Sequence, residues 1–307
     1  LRSFIMIAAF FVIVIVGCGK SEVEKVKPVK KPPVVSTPEN VSSEKTIAPK
    51  PLQKPVEKSK QNLHEMILDP QSEEETRKDA LKKLLSANGS QADFVVKAYS
   101  DVTLKPLIRE VLAEAAERKD PQALSWGAAL FESVGGEERI DFEVFLLRYG
   151  KEAIPYLVTI VKETNDEALF GRAADGLAKI GDERAAPPLI ERLNDPGSWI
   201  VIAAAHALGT IGSTEAVNPL IELLKKEPEV ASAAAVALGK IGDKRSYDAL
   251  AEATTASNPD VRGYAAVALA QLGIGEAEEL IKPLLEDHEP GVRFQANRAL
   301  KILREKD

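Results

Sequence analysis

Beyond residue 150 the apolar positions fall into blocks, each made of two short stretches with apolar residues three and four apart, the helical spacing. The second stretch of each block ends on a recurring phrase: Leu177–Asp182, Leu208–Ser213, Leu238–Asp243, Leu269–Ile274 and a shorter version at Leu300–Leu303. The leading leucines are 31, 30, 31 and 31 residues apart, a period of about 31. An independent phrase opens the blocks, with Leu157, Leu189, Leu220, Leu250 and Leu280 at matching offsets. Two markers with one period define an internal repeat, each unit a predicted helix pair.

One unit illustrates the local chemistry. A first helix is predicted over Ser213–Leu224 and a second over Pro228–Ile241. Ser213 or Thr214, and Asp182 and Asp243 in their units, are expected to cap first helices. Pro228, Pro259 and Pro290 suit the first turn of second helices, where the missing N–H is not needed. Gly181, Gly212, Gly242 and Gly273 supply a left-handed exit. The triplets Ala203–Ala205 and Ala233–Ala235 let second helices lie close together. Upstream, Glu73–Leu85, Phe94–Tyr99, Leu104–Arg118, Gln122–Ser133 and Ile140–Tyr149 read as helices that match the period loosely. Terminal repeats are commonly atypical, so residues 62–150 are taken as degenerate units and 151–307 as regular ones.

The run Pro259-Asp-Val-Arg-Gly-Tyr-Ala-Ala-Val-Ala-Leu-Ala-Gln-Leu-Gly273 and its four relatives resemble the short HEAT-like repeats first named from phycobilisome lyases. The tetratricopeptide and ankyrin signatures are absent. The resemblance implies an all-α fold: a right-handed α-solenoid of about seven helix pairs, second helices lining its concave side.

A helical wheel for residues 199–211 buries Ile200, Ala204, Ala207, Leu208 and Ile211, and turns Ile202, Ala205, His206 and Gly209 away, with Trp199 at the margin. The equivalent positions elsewhere are Gly171 and Asp175, Ser232 and Val236, Gly263 and Val267, Phe294 and Arg298. The expectation is a smooth groove of small residues with one apolar spot near Trp199, Ile202, Val236, Val267 and Phe294, which together with His206 form a candidate site for a protein partner. Arg298, Asn297 and Lys301 read as a polar cap on the last unit.

The amino-terminal end is of another kind. Phe4–Val16 is an unbroken apolar and small run behind Arg2, shorter than the roughly 20 residues of a spanning helix and suited to an export signal. Ile15-Val16-Gly17-Cys18 resembles a bacterial lipobox, which implies a signal peptide over 1–17, cleavage between Gly17 and Cys18, and lipid attachment to Cys18. Cys18 is the only cysteine in the chain, which rules out an internal disulfide. Residues 18–61 alternate Pro with Lys and keep no apolar period, the composition of a disordered tether with polyproline character. Residues 61–307 carry 29 basic and 42 acidic residues, near −13, a poor match to nucleic acid.

No nucleophile elbow, phosphate-cradling loop or zinc spacing is present, and no catalytic residue, metal ligand or cofactor is assigned. Deoxyhypusine hydroxylase, a HEAT-repeat enzyme, builds its site from repeated His-Glu pairs. Here only His64-Glu65 and His288-Glu289 occur, and the latter sits ahead of Pro290, outside the helix register. These readings together describe a non-catalytic scaffold of the bacterial cell envelope, anchored to a membrane through Cys18 and binding a protein partner. The alternative is an enzyme or accessory subunit of the lyase or hydroxylase type working in the groove.

Overall fold

The computed structural model describes residues 55–87 and 91–306. The leader 1–17, the Gly17–Cys18 junction and the tether as far as residue 54 lie outside the described residues. Composition predicts a tether over residues 18–61, whereas helix α1 already begins at Pro55 and runs to Leu68. Its Lys-rich first turns look like the preceding Pro/Lys composition, and Pro55 stands where proline opens a helix rather than breaking it.

Sixteen helices follow one another among the described residues, with no strand. The first three pairs are α1 (Pro55–Leu68) with α2 (Glu74–Leu85), α3 (Ala92–Tyr99) with α4 (Lys105–Glu117), and α5 (Pro121–Ser133) with α6 (Gly136–Tyr149). Then come α7 (Ile154–Glu163) with α8 (Glu167–Ile180), α9 (Ala186–Glu191) with α10 (Ser198–Ile211) and α11 (Val217–Leu223) with α12 (Pro228–Ile241). The last pairs are α13 (Tyr247–Ala253) with α14 (Pro259–Leu272) and α15 (Ala277–Ile281) with α16 (Pro290–Lys306). The fold is thus an α-solenoid of eight pairs rather than about seven, the additional one arising from α1.

The chain's punctuation acts as expected in the regular units. Gly181, Gly212, Gly242 and Gly273 end the second helices at φ of 66°, 80°, 73° and 65°, a region that only glycine enters without cost. Asp182 and Asp243 accept hydrogen bonds from the backbone N–H groups of Arg184 and Arg245. Neither Ser213 nor Thr214 does the equivalent: Ser213 holds the cap position with no side-chain bond, and Thr214 is already inside the turn. The first helices α7, α9, α11 and α13 open with a short 3₁₀ turn, such as Glu183–Ala185 ahead of α9.

Each even-numbered helix packs on the next even-numbered helix all along the array. From α10 to α14 the packing is backbone against backbone. A Cβ added at Gly209 would lie 2.7 Å from the Cα of Ala237, and one at Gly239 would lie 2.8 Å from the Cα of Ala268. The short odd-numbered helices of these units touch one another far less. A double layer that is tight on one side and loose on the other bends toward the tight side, so the even-numbered helices carry the inner face.

Candidate partner-binding groove

The inner face between α8 and α10 holds an open groove. Glu167, Gly171, Arg172 and Asp175 line it from α8, and Trp199, Ile202, Ala203 and His206 from α10. Trp199 is 67 % exposed, although an indole buried in a core would remove roughly 200 Å² from water. It occupies the first turn of α10, directly after Gly197 and Ser198, where no neighbouring helix reaches over it. Gly171 has open space where a Cβ would be, so any larger residue there would narrow the groove.

The residues read as one apolar spot are not one spot. Ile202 and Val236 are half-buried and His206 is exposed, as a groove requires. Val267 is 6 % exposed and belongs to the core. Ala205 and Gly209, turned outward on the wheel, are buried because α12 closes on them. Phe294, 69 % exposed, lies on α16, three second helices beyond Trp199. At about 9 Å per helix step that separation is roughly 27 Å, too far for Phe294 to share a pocket with Trp199. Asn297, Arg298 and Lys301 are exposed on α16, as a polar end requires.

His206 meets Lys240 of the next unit, Nζ to Nε2 at 3.2 Å, and Lys240 also approaches Thr210 Oγ1 at 3.3 Å. Partial burial pushes the His206 pKa down, the Lys240 charge adds to that, and Asp175 opposes it. The neutral form of His206 is thereby favoured. His64 is elsewhere, stacked on Phe94 at 3.8 Å and bonded to Gln91 at 3.0 Å. His288 sits beside Asp287 at the far end of the array. The two His-Glu pairs are thus at opposite ends and do not converge.

The wheel also missed the charges that the array buries. Glu143 on α6 is 3 % exposed and takes Arg172 at 3.2 Å and Lys179 at 2.7 Å, both from α8. Lys179 in turn reaches Asp175 at 2.7 Å, so this chain of charges forms the groove's wall. Arg192 donates to the carbonyls of Val161, Lys162 and Thr164, closing the end of α7 from the next unit. Arg262 forms a two-pronged pair with Asp287, 2.9 Å on each prong, and donates to the carbonyls of Ala256 and Ser257. Most of their partners lie 25 to 36 residues away in a neighbouring unit, although Arg192 also pairs with Asp195 three residues on, at 2.9 Å.

With the repeat geometry in hand, the family comparison is decisive: HEAT repeats match residues 146–209, 202–258 and 250–307. The chain belongs to the HEAT-repeat family. No curated protein matches it by sequence. Among solved structures this HEAT-repeat chain is similar to human deoxyhypusine hydroxylase in complex with glycerol, at 18 % identity over 81 % of this chain and 97 % of that one, TM-score 0.32. It is similar to the CpcE–CpcF complex of phycocyanin lyase from Nostoc sp., at 23 % identity over 72 % and 97 %, TM-score 0.38. A third likeness is to Kap121p bound to Pho4p, at 14 % identity over 82 % of this chain and 34 % of that one, TM-score 0.47. Likenesses of this size assign no activity, substrate or partner.

Proposed function

We propose that this HEAT array is a non-catalytic binding scaffold of the bacterial cell envelope, tethered to a membrane through a lipidated Cys18, with the Trp199 groove as its docking site for a protein partner. The observation that carries the docking site is the exposed indole of Trp199 beside Gly171 and Ala203. Tryptophan is enriched, with tyrosine and arginine, among the residues that carry interface binding energy, and covering its ring would remove apolar surface from water. The lipid anchor rests on the Ile15-Val16-Gly17-Cys18 motif, and the intervening Pro/Lys stretch provides reach from the membrane.

The test is site-directed crosslinking in cells, with a photoreactive residue at position 202, comparing the parent chain with Trp199→Ala and Cys18→Ala. Circular dichroism and melting of each variant serve as the folding control. The expected result is one defined partner, lost with Trp199→Ala. Metabolic labelling with a radioactive fatty acid should mark the parent and not Cys18→Ala. A partner retained in Trp199→Ala would move the interface off this groove. Stoichiometric metal, or a chromophore, in the purified chain would favour an enzyme instead.

A further inference from the structure

Away from the Trp199 groove, the array opens again between α4 and α6, the consecutive even-numbered helices that touch least. The opening follows from ring packing. A Cβ at Gly127 would overlap the Phe145 ring, so that ring is drawn onto α5 and the seam beside it stays unfilled. A cavity of about 250 Å³ results. Leu112 of α4 with Phe142, Val144 and Phe145 of α6 give it an apolar lining, and Val144 is 51 % exposed. Toward the start of α6 the charges are committed: Arg109 donates to Tyr99 Oη at 2.7 Å and pairs with Asp141 at 3.0 Å. Seven residues beyond Asp141, about 10 Å at the helical rise, Arg148 lines the same cavity. Its guanidinium has no ion pair or hydrogen bond among the described residues.

The surroundings of Arg148 are positive. Lys119 donates to the Arg148 carbonyl and lies over the Tyr149 ring, 5.5 Å from its centre, and Arg118 also faces Tyr149. Lys119 thus answers the negative end of α6 and leaves the Arg148 guanidinium uncommitted. Asp120, the carboxylate that faces Tyr149, is taken up by the N–H groups of Gln122 and Ala123. On α4, Glu110 and Glu114 pair with Lys78 and Lys82 of α2. We infer that this cavity binds a small monocarboxylate with an apolar body, its carboxylate on Arg148 and its body against Leu112, Phe142, Val144 and Phe145. A guanidinium fork matches the two oxygens of a carboxylate. The Arg109–Asp141 pair, already neutral, offers no net charge to a second carboxylate. A cavity of roughly 150 Å³ holds benzene, so this one takes a ring with a short acid chain, about ten to twelve non-hydrogen atoms.

The probe is 3-phenylpropanoate, with 3-phenylpropan-1-ol as its uncharged counterpart, each titrated against the full chain by saturation-transfer NMR. The acid should bind with a Kd of about 0.1–1 mM, the range open to so small a ligand. It should bind about tenfold more tightly than the alcohol. Arg148→Met keeps an apolar stem and should remove that preference, with the alcohol changed by about twofold or less. Ala113 is exposed on α4 at the cavity, so Ala113→Phe fills the space without entering the core and should abolish binding of both. Circular dichroism and melting of the two variants should match the parent. Four results would each overturn the assignment: no binding of the acid to the parent, equal affinity for acid and alcohol, a preference that survives Arg148→Met, or binding that survives Ala113→Phe.

Discussion

Between Tyr99 and Phe170 the array is filled with rings. Tyr99, Trp126, Phe131, Phe142, Phe145, Tyr149 and Phe170 are all buried there. After Phe170 the chain has Trp199, Tyr247, Tyr264 and Phe294, and none of them is buried. The way second helices meet changes with the filling. In the first half, long side chains bridge them: Lys78 to Glu110, Lys82 to Glu114 at 2.9 Å, Lys105 to Glu138 at 2.7 Å, and Glu143 to Lys179 at 2.7 Å. From α10 to α14, Gly209 and Gly239 let the backbones touch. Bulky cores hold helices apart, and long polar side chains cross the gaps; alanine cores bring backbones into contact, with Lys240 still reaching from α12 to His206 and Thr210 on α10. The difference shows why a repeat unit can lose its consensus phrase and keep its architecture.

The contrast can be broken most sharply at a ring. Phe131→Ala should cost about 3–5 kcal/mol, because the large void has stiff neighbours. Chemical denaturation would measure it, and a loss below about 1 kcal/mol would mean that the aromatic half is loosely packed. Next in size is the buried pair of the regular half. Asp287→Ala leaves Arg262 charged and unmatched, at a cost of about 2–3 kcal/mol. The pair also gives a pH signature. Hydrogen bonding from Arg262 holds the Asp287 carboxyl at about 2, below its ordinary 3.8. Its contribution is complete above pH 4 and is lost as the pH falls toward 2. The parent should therefore lose stability in that window more steeply than Asp287→Asn.

The glycines sharpen the comparison further. Gly239→Ala forces a methyl to within 2.8 Å of the Ala268 backbone and should destabilise by about 1–3 kcal/mol. Gly171→Ala, in a helix with open space beside it, should stabilise by up to about 1 kcal/mol. Equal effects in thermal melts would contradict the close approach of α12 and α14. The smallest expected effect is electrostatic. Lys240→Met removes the second cause of the lowered His206 pKa, so the pKa should rise by NMR titration while partial burial still holds it down.

Much of the fold was legible because it is written locally. The proline starts, the glycine exits and the aspartate caps each act within a few residues, and each is found where the sequence placed it, Ser213 and Thr214 excepted. Helix α1 was hidden by composition, since lysine-rich polar sequence serves a solvated helix and a tether equally well. The groove was half legible. A wheel drawn for one helix finds the side turned from its own partner, which identified Trp199, Ile202 and His206. It has no knowledge of the next unit, which closes over Ala205, Gly209 and Val267. The buried charges Glu143 and Arg262 were illegible for the same reason, as the groups that neutralise them arrive from neighbouring units.

The touching backbones at Gly209 and Gly239 also give the array a mechanical character. A curved beam flexes about the line where its material can neither shorten nor slide, and here that line runs through the inner helices. Opening or closing the coil must be taken up by the short outer helices, spreading like the pages of a book along a fixed spine. Under load the outer surface would change its spacing while α10, α12 and α14 kept theirs.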